Sequence, residues 1–232
     1  MSRRDNAELR CERCHMHAPL CICAELPQVA THSRLILLLH YREARKPTNT
    51  GLLAAACLPR TTTFELGQGS AAQHAQPRPD FGQLIAPHEQ AMLLFPADDA
   101  VPIDAWVAAA QPVAPVLIVP DGNWRQASKM RGRLPGLAAL PCVTLPTAAP
   151  TAYRLRAEPK SGGLATLEAI AHALLHLEQS NGPAVADALL KVFQLMVERT
   201  LWLRGTLAAD KVTGGIPPAA LAFYRDRARD GA

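Results

Sequence analysis

The hydrophobic residues of this chain fall into short continuous runs, the pattern of strands buried on both faces of a parallel sheet. Such runs predict strands at residues 34–40, 91–95 and 116–119, and two further strands are predicted at residues 61–66 and 142–145. Proline follows two of them, at Pro96 and Pro120, and we expect these strands to end there because proline lacks an N–H donor for the strand ladder. The strands are therefore short and clearly bounded.

Helical patterns occupy most of the intervening sequence. The predicted helices are residues 52–58, a segment around Trp106, and residues 124–131, 164–177 and 185–203. Residues 67–89 are polar with glycine and proline, which predicts a long loop. Alternating strands and helices indicate an α/β fold with a mainly parallel sheet and flanking helices, in which ligands bind at the carboxyl ends of strands.

The composition is that of a globular protein. The chain has 232 residues, of which 49% are hydrophobic and 19% charged, so it can bury one substantial core. No apolar run reaches the roughly 18 residues of a membrane span, and the N-terminus shows no secretory signal. We therefore expect a cytoplasmic protein that does not bind membranes and has no obligate protein partner.

Four of the six cysteines cluster near the N-terminus. In a reducing compartment this spacing favours a tetrahedral zinc site over disulfides, with four ligands that leave no open position for catalysis. The proposed ligands are Cys11, Cys14, Cys21 and Cys23. Unligated thiols, or substitution by His15 or His17, are the alternatives. Cys57 and Cys142 lie in apolar segments and are predicted core residues.

The net charge of +4 is too small to indicate a polyanionic partner. Its distribution is more informative, because the basic residues are bunched. The bunches lie at residues 3–13, 42–46, 125–133, 154–160 and 225–229. Each bunch is either a solvated face or a contact for nucleic acid.

The strand at 116–119 leads into a polar turn, Pro120 to Ala127, at the expected position of a ligand site. Asp121 and Trp124 are its candidate functional residues. Asp121 has an alternative role as a helix cap, and Trp124 has one as an anchor in the core.

A second candidate segment precedes the helix at 164–177. Gly162 and Gly163 permit close approach of backbone to a ligand, but the segment matches neither a P-loop nor a dinucleotide-binding fingerprint. Glu168, His172 and His176 share one helical face, as in some metal sites. We favour a solvated or packed face, since the pattern departs from His-Glu-x-x-His.

Three segments together resemble the DTW-domain family. They are residues 40–51 (HYREARKPTNTG), residues 121–127 (DGNWRQA), and YRLR at 153–156 continuing through GGLATLEA at 162–169. The N-terminal cysteines are similar to the family's zinc ligands. One departure is Asn123, which stands where the family has threonine; it keeps a short polar side chain that can cap or hydrogen-bond.

The resemblance implies a fold and an activity. It implies a SPOUT-like C-terminal knot, a small zinc knuckle at 1–30 and a DTW catalytic domain at 31–232. It also implies transfer of the 3-amino-3-carboxypropyl group of S-adenosyl-L-methionine to a uridine of tRNA, in the variable loop. The alternatives are a SPOUT-like RNA methyltransferase, or a non-catalytic zinc-containing RNA-binding protein.

The resemblance also suggests roles for individual residues. The expected contacts to S-adenosylmethionine are Thr50, Pro120, Leu145, Gly162, Gly163 and Thr166. The expected RNA contacts are Arg42, Lys46, Arg125, Arg154 and Arg156. N3 of uridine must lose a proton, and Asp121 is the first candidate base, ahead of Glu168 and Glu43. Trp124 is expected to stack on the uracil.

Overall fold

The structure, a computed structural model, describes residues 9–67, 78–110, 113–146, 151–155 and 163–230. Its centre is a sheet of six strands whose pairings are all parallel. In chain order these are β1 Arg34–His40, β2 Thr61–Leu66, β3 Glu89–Leu94, β4 Val101–Pro102, β5 Ala114–Asp121 and β6 Cys142–Thr144. Their spatial order is β2-β1-β5-β3-β6-β4, which confirms the α/β class and the parallel sheet.

Helices flank the sheet on both faces. They are α1 Tyr41–Ala44, α2 Thr50–Cys57, α3 Phe81–Leu84, α4 Ile103–Ala109, α5 Trp124–Arg133, α6 Thr166–Leu177, α7 Gly182–Leu203 and α8 Pro218–Asp230. The predicted helices correspond to α2, α4, α5, α6 and α7, with ends that differ by a few residues. Helix α8 and the two-residue strand β4 were not predicted.

Side chains of the strands alternate between two apolar clusters, as the period of two requires. Leu35, Leu37 and Leu39 of β1 join the larger cluster, to which α2, α4, α6 and α7 contribute. Ile36 and Leu38 join the smaller cluster, with α3 and α5. Burial on both faces explains why β1 reads as a continuous apolar run.

The strand order creates a switch point between β1 and β5. The chain leaves β1 toward the edge strand β2, and it leaves β5 in the opposite direction toward β6. The two strands pair in parallel, with Leu39 beside Asp121 at their carboxyl ends. A crevice outside such a pair of strands is the usual ligand site of an open α/β sheet. The fold thus places residues 40–51 and 121–127 at the same edge.

The cysteine segment packs against the rest of the molecule. Met16, Leu20 and Ile22 join the larger apolar cluster. Arg199 of α7, only 4% exposed, donates to the carbonyl of Cys21 at 2.9 Å and pairs with Glu25 at 2.8 Å. Shared apolar packing and the hydrogen bonds of the buried Arg199 hold the segment against α7. The division of the chain at residue 30 remains a prediction.

The prediction of one long loop at 67–89 is wrong for the described part of that segment. Residues 81–84 form α3, with Phe81 buried and its N–H donating to the carbonyl of Pro135 at 3.0 Å. Gly136 has a φ of 76°, and a Cβ there would lie 2.7 Å from the Gly82 nitrogen. Helix α3 depends on this distant contact, which local composition does not reveal.

The SPOUT-like knot expected from the resemblance falls partly outside the described residues. The expected knot involves the chain between β6 and α6, where residues 147–150 and 156–162 lie outside the described residues, so the knot remains a prediction.

Across the described ranges, no helix combines the length and the apolar character needed to cross a bilayer.

Candidate active site at the carboxyl edge of the sheet

The carboxylate of Asp121 links three elements at the end of β5. Its Oδ2 accepts a hydrogen bond from Asn49 Nδ2 at 2.7 Å, and its Oδ1 accepts one from Thr166 Oγ1 at 2.7 Å. Asn49 precedes α2, and Thr166 is the first residue of α6. Asp121 is 6% exposed, so it is buried with both oxygens hydrogen-bonded. The positive ends of two helix dipoles face this carboxylate and favour its negative charge.

The start of α2 is built closely around Asp121. Asn49 caps the helix, since its Oδ1 accepts from the N–H of Leu52 at 2.7 Å. A Cβ on Gly51 would lie 2.5 Å from Asp121 Oδ2, so glycine allows the helix to approach the carboxylate. Thr50 Oγ1 accepts from the N–H of Leu167 at 3.4 Å. The N-termini of α2 and α6 therefore contact each other as well as Asp121.

Asn123, and not Asp121, caps α5. Its Oδ1 accepts from the Gln126 N–H at 3.0 Å, and Gln126 Oε1 accepts from the Asn123 N–H at 2.7 Å. This reciprocal pair is a capping box. The alternative that Asp121 is a helix cap is therefore wrong. Asparagine at position 123 has a clear local role at the start of the helix.

Trp124 lies at the surface and is not a core anchor. Its side chain is 49% exposed, and its ring stacks on Phe95 with centroids 4.8 Å apart and planes 17° from parallel. Phe95, which follows β3, is buried and packs against one face of the indole. An exposed aromatic ring on a rigid base beside a strand end is suited to contact with a planar ligand.

Glu168 binds the segment 151–155 to α6. Its carboxylate accepts from the Thr151 hydroxyl at 2.5 Å, from the Ala152 N–H at 2.8 Å and from the Ala165 N–H at 2.8 Å. It is 4% exposed. These bonds satisfy backbone donors at the start of the helix, as a capping carboxylate does. The sequence indicated a helix start here but gave no sign of the bonds to residues 151–152.

Tyr153 connects the same segment to the start of α2. Its hydroxyl donates to the carbonyl of Thr48 at 2.9 Å, and its ring stacks on Phe193 of α7 with centroids 5.8 Å apart. Arg204 donates to the carbonyl of Leu155 at 2.8 Å. Three contacts, one with the residue before the cap of α2 and two with α7 and its end, thereby position residues 153–155.

The residues expected to contact the donor are only partly brought together. Three of them lie close to Asp121: Thr166 donates to its carboxylate, Pro120 precedes it in the chain, and Thr50 accepts from the N–H of Leu167 beside Thr166. Leu145 follows β6, which β3 separates from β5. Gly163 is exposed three residues before α6, and Gly162 lies outside the described residues.

The residues expected to contact RNA lie in different parts of the molecule. Arg42 and Arg125 line a cleft at the carboxyl edge of the sheet, on the face that α5 covers. Arg154 lies near Glu198 of α7, on the opposite face of the sheet, and its positive charge contributes to the lowered pKa of Glu198. Lys46 pairs with Glu43, the weaker candidate base. Arg156 lies outside the described residues.

His40 forms the wall of this cleft at the end of β1. Burial, together with the positive charges of Arg42 and Lys46, lowers the pKa of His40. Its Nδ1 accepts from the Arg42 N–H at 3.3 Å, which caps α1. His40 is therefore neutral at pH 7, with Nδ1 as the acceptor and Nε2 as the protonated nitrogen.

The four N-terminal cysteines form a cluster that fits a metal ion. Their sulfur atoms lie within 4.8 Å of one another, with Cys11 and Cys23 at 3.5 Å and Cys14 and Cys21 at 3.7 Å. A zinc–sulfur bond of about 2.3 Å in a tetrahedron requires sulfurs roughly 3.8 Å apart. The geometry therefore fits Zn²⁺ with four thiolate ligands. A backbone hydrogen bond from Cys14 lowers the pKa of Cys11 to about 6, and burial raises the pKa of Cys14.

The alternative metal ligands are placed elsewhere. In the parts of the chain that the structure describes, the four cysteines are the only group of three or more metal-binding side chains. His17 is buried against Tyr224 of α8. Glu168 is engaged with residues 151, 152 and 165, so the helical face with His172 and His176 is not a metal site. Cys57 and Cys142 are buried core residues, as predicted.

Comparison with known proteins identifies the family. Residues 8–201 match the sequence model described as DTW domain. Similar proteins include one from Drosophila melanogaster, 31% identical over 175 residues that cover 75% of this chain and 68% of the relative. Another, from Mus musculus, is 28% identical over 200 residues that cover 83% of this chain and 64% of the relative. A third, from Macaca fascicularis, is 26% identical over 189 residues that cover 80% of this chain and 61% of the relative.

All three relatives carry the name tRNA-uridine aminocarboxypropyltransferase 2. The chain spans less than two thirds of the mouse and macaque proteins. No solved structure matches it. Because the family match extends over most of the chain and includes every segment that meets at Asp121, this protein belongs to the DTW domain family.

Proposed function

We propose that this protein transfers the 3-amino-3-carboxypropyl group of S-adenosyl-L-methionine to N3 of a uridine in tRNA. The observation that carries the proposal is the meeting of three motif segments at one carboxylate. Asn49, Asp121 and Thr166 come from three separate segments and join through hydrogen bonds of 2.7 Å. The names of the relatives support the same activity and substrate.

The reaction forms one bond and breaks another. The uridine N3–H proton passes to a base, N3 attacks the γ-carbon of the methionine moiety, and the bond from that carbon to sulfur breaks. Sulfur keeps the bonding electrons and leaves as neutral 5′-methylthioadenosine. The sulfonium has three activated carbons, so the site must align the γ-carbon, and not the methyl group, with N3.

Asp121 is the proposed base. It lies at the switch point, and its position is held from two sides by Asn49 and Thr166. Each carboxylate oxygen has two lone-pair sites, so an oxygen that already accepts a hydrogen bond can also accept a proton. The two donors also orient the carboxylate, which reduces the reorganisation needed during proton transfer.

Glu168 and Glu43 are weaker candidates for this role. Glu168 accepts three hydrogen bonds that hold residues 151–152 and the start of α6, and Glu43 pairs with Lys46. Protonation of Glu168 would remove an acceptor from this buried group of donors. We propose that Glu168 acts as a positioning residue for the segment 151–155.

Donor and acceptor are proposed to bind on either side of the turn at 121–124. We assign the donor to the side of α2 and α6, with contacts from Thr50, Pro120, Leu145, Gly162, Gly163 and Thr166. We assign the target uracil to the exposed face of Trp124, because stacking on aromatic side chains is the common way to hold an unpaired RNA base. Arg42 and Arg125, which line one cleft beside the turn, are proposed to bind the phosphates around it. Lys46, Arg154 and Arg156 are proposed to contact other parts of the tRNA.

Zinc is proposed to be structural. Four thiolates fill a tetrahedral coordination sphere, so the ion would hold the segment that packs against α7. The uridine in the variable loop and the cytoplasmic location remain predictions from the sequence.

A transfer assay with two labels tests the activity. Unmodified tRNA is incubated with the protein and with S-adenosylmethionine labelled separately at the methyl group and at the carboxyl group. We expect the carboxyl label on RNA, the methyl label in 5′-methylthioadenosine, and the modified uridine in nucleoside mass spectra. Methyl label alone on the RNA would identify a methyltransferase, and tight tRNA binding without any mass change would identify a non-catalytic RNA-binding protein.

A further inference from the structure

A basic cleft of about 820 Å³ opens at the carboxyl edge of the sheet, on the face that α5 covers. His40 and the turn residue Asn123 are part of its wall. The carboxylate of Asp121 points to the other face, toward α2 and α6. The cleft is therefore separate from the donor side of the candidate site, but it shares the turn at 121–124 with it.

Five basic side chains line this cleft, and all are exposed. They are Arg42, Arg78, Arg125, Lys129 and Arg133. Among the residues that the structure describes, none of the five forms a salt bridge with a carboxylate. Among the lining residues that the structure describes, Glu65 is the one acidic side chain. The cleft thus concentrates positive charge that the described part of the protein does not neutralise.

Three of these residues form a stripe along α5. Arg125, Lys129 and Arg133 are four residues apart, so they lie on one side of the helix and rise about 6 Å from one to the next. Like charges at this spacing disfavour the helix in the free protein. On the opposite side of the same helix, Arg131 pairs with Asp99 at 2.7 Å. The helix therefore presents three cations to the cleft, together with the uncharged Gln126 and Met130, while Arg131 on its other side is paired with a carboxylate.

We infer that this cleft binds the ribose–phosphate backbone of tRNA beside the target uridine, with Lys129 and Arg133 as phosphate contacts. The inference rests on the proposed function for the identity of the RNA. A row of cations along a helix matches a linear polyanion, because each cation can replace a condensed counterion on one phosphate. The row begins at Arg125, next to Trp124, so RNA that follows it reaches the turn where the uracil is proposed to stack.

Binding of unmodified tRNA by fluorescence anisotropy at several salt concentrations tests the inference. The variant is Lys129→Gln combined with Arg133→Gln, since glutamine preserves helix propensity while it removes both charges. The matched control is Lys191→Gln combined with Lys211→Gln, which removes two exposed charges outside the cleft. Thermal unfolding of each protein confirms that it is folded.

Loss of two phosphate contacts has a defined signature. The slope of log K against log salt becomes shallower by about 1.4 to 1.8, and affinity at 0.15 M salt falls about 10- to 30-fold. The control keeps the slope and affinity of the wild type. Wild-type slope and affinity in the cleft variant would overturn the inference, and an equal loss in both variants would show a diffuse charge effect and overturn it as well.

A second variant, Arg78→Gln, removes a cleft cation that lies outside any helix, and a slope shallower by about 0.7 to 0.9 is expected. The outcome is separable from that of the transfer assay. If the wild type binds tRNA through the cleft but transfers nothing, the inference holds and the proposed function fails. If transfer occurs and the cleft variants bind normally, the function holds and the inference fails. Binding of an acidic protein in preference to tRNA would also overturn the inference.

Discussion

Asn49 and Asp121 are 72 residues apart in the sequence, and the amide of the first donates to the carboxylate of the second at 2.7 Å. The same asparagine caps α2 with its other side-chain atom. One side chain therefore sets both the start of a helix and the orientation of the proposed base. This relationship makes Asp121 the most informative position for mutagenesis.

Replacement of Asp121 by asparagine should abolish transfer while the fold is kept. Asparagine has the same shape, its oxygen can still accept from Asn49, and its amide can donate to the Thr166 hydroxyl, which can also act as an acceptor. The carboxylate is lost, so we expect a decrease in kcat of about 100-fold or more. The control is Asp187→Asn, the same change at an exposed position of α7, which should keep wild-type turnover. Near wild-type turnover in Asp121→Asn would show that Asp121 is not the base and has only a structural role.

Alanine at Gly51 should destabilise the protein, although alanine is the better helix former. The added Cβ would lie 2.5 Å from Asp121 Oδ2 and 3.2 Å from the Leu37 side chain. We expect the free energy of unfolding to fall by about 1–3 kcal/mol, as for other overpacked cores, and transfer to fall with it. Gly132→Ala in α5, where no atom lies within 4 Å of the new Cβ, should instead gain about 0.5–1 kcal/mol. Urea unfolding measures both, and a gain at Gly51 would contradict the prediction.

Replacement of Cys11 and Cys14 by serine should release about one bound metal ion per chain. The four sulfurs form one coordination site, and loss of two ligands leaves too few thiolates to hold zinc. Elemental analysis of the purified protein gives the metal content, and the thermal midpoint should fall because the segment packs against Arg199. Cys57→Ala, a core substitution outside the cluster, should lower stability without loss of metal. Equal metal content in all three proteins would exclude the site.

Glu89 should contribute acid-sensitive stability. Its carboxylate accepts from Arg34 Nε at 2.8 Å and from Nη2 at 2.7 Å, and these bonds lower the pKa of Glu89 in the folded state. The unfolded chain therefore binds more protons between the two pKa values, so the contribution is complete above the unfolded value of about 4.3 and is lost as pH falls through the folded pKa.

The comparison with Glu89→Gln isolates this effect. We expect the variant to be less stable than the wild type by about 1–3 kcal/mol at pH 7, with the difference shrinking toward pH 3. Urea unfolding at both pH values measures the two differences. Asp98→Asn, a substitution at an exposed position, should leave the pH dependence of the free energy of unfolding the same as in the wild type. A difference that stays constant from pH 7 to pH 3 would contradict the assignment.

Replacement of Glu168 by glutamine should loosen residues 151–155 more than it affects the pH dependence of catalysis. Glutamine offers one acceptor oxygen, and its amide would face an N–H donor, so at least one of the three bonds is lost. Hydrogen exchange at Ala152 and Tyr153 should become faster, with a loss of about 1–3 kcal/mol in global stability. A displaced pH–rate profile with unchanged exchange would instead identify Glu168 as the base.

Much of the secondary structure could be predicted from local pattern alone. The boundaries of β1 agree with the prediction because this strand is a continuous apolar run buried on both sides. Those of the edge strand β2 also agree, since its threonines favour a strand and Gly67 follows it. Strand β5 extends through Pro120 to Asp121, so the predicted end at this proline is wrong. The cysteine cluster was also predictable, since its four ligands lie within thirteen residues. Helix α3 and strand β4 were missed because four and two residues are too short for a periodic signal.

Local sequence patterns were sufficient to predict the α/β class, five of the six strands, the metal-ligand spacing and the three motif segments of the family. How those segments contact one another depends on the tertiary fold. The bonds of Asp121 span 72 and 45 residues, and the cleft joins the end of β1 to one side of α5. Hydrophobic periodicity is local and reports which side of an element is buried. Strand order decides which buried sides and which strand ends become neighbours, and the chemistry of this site depends on those neighbours.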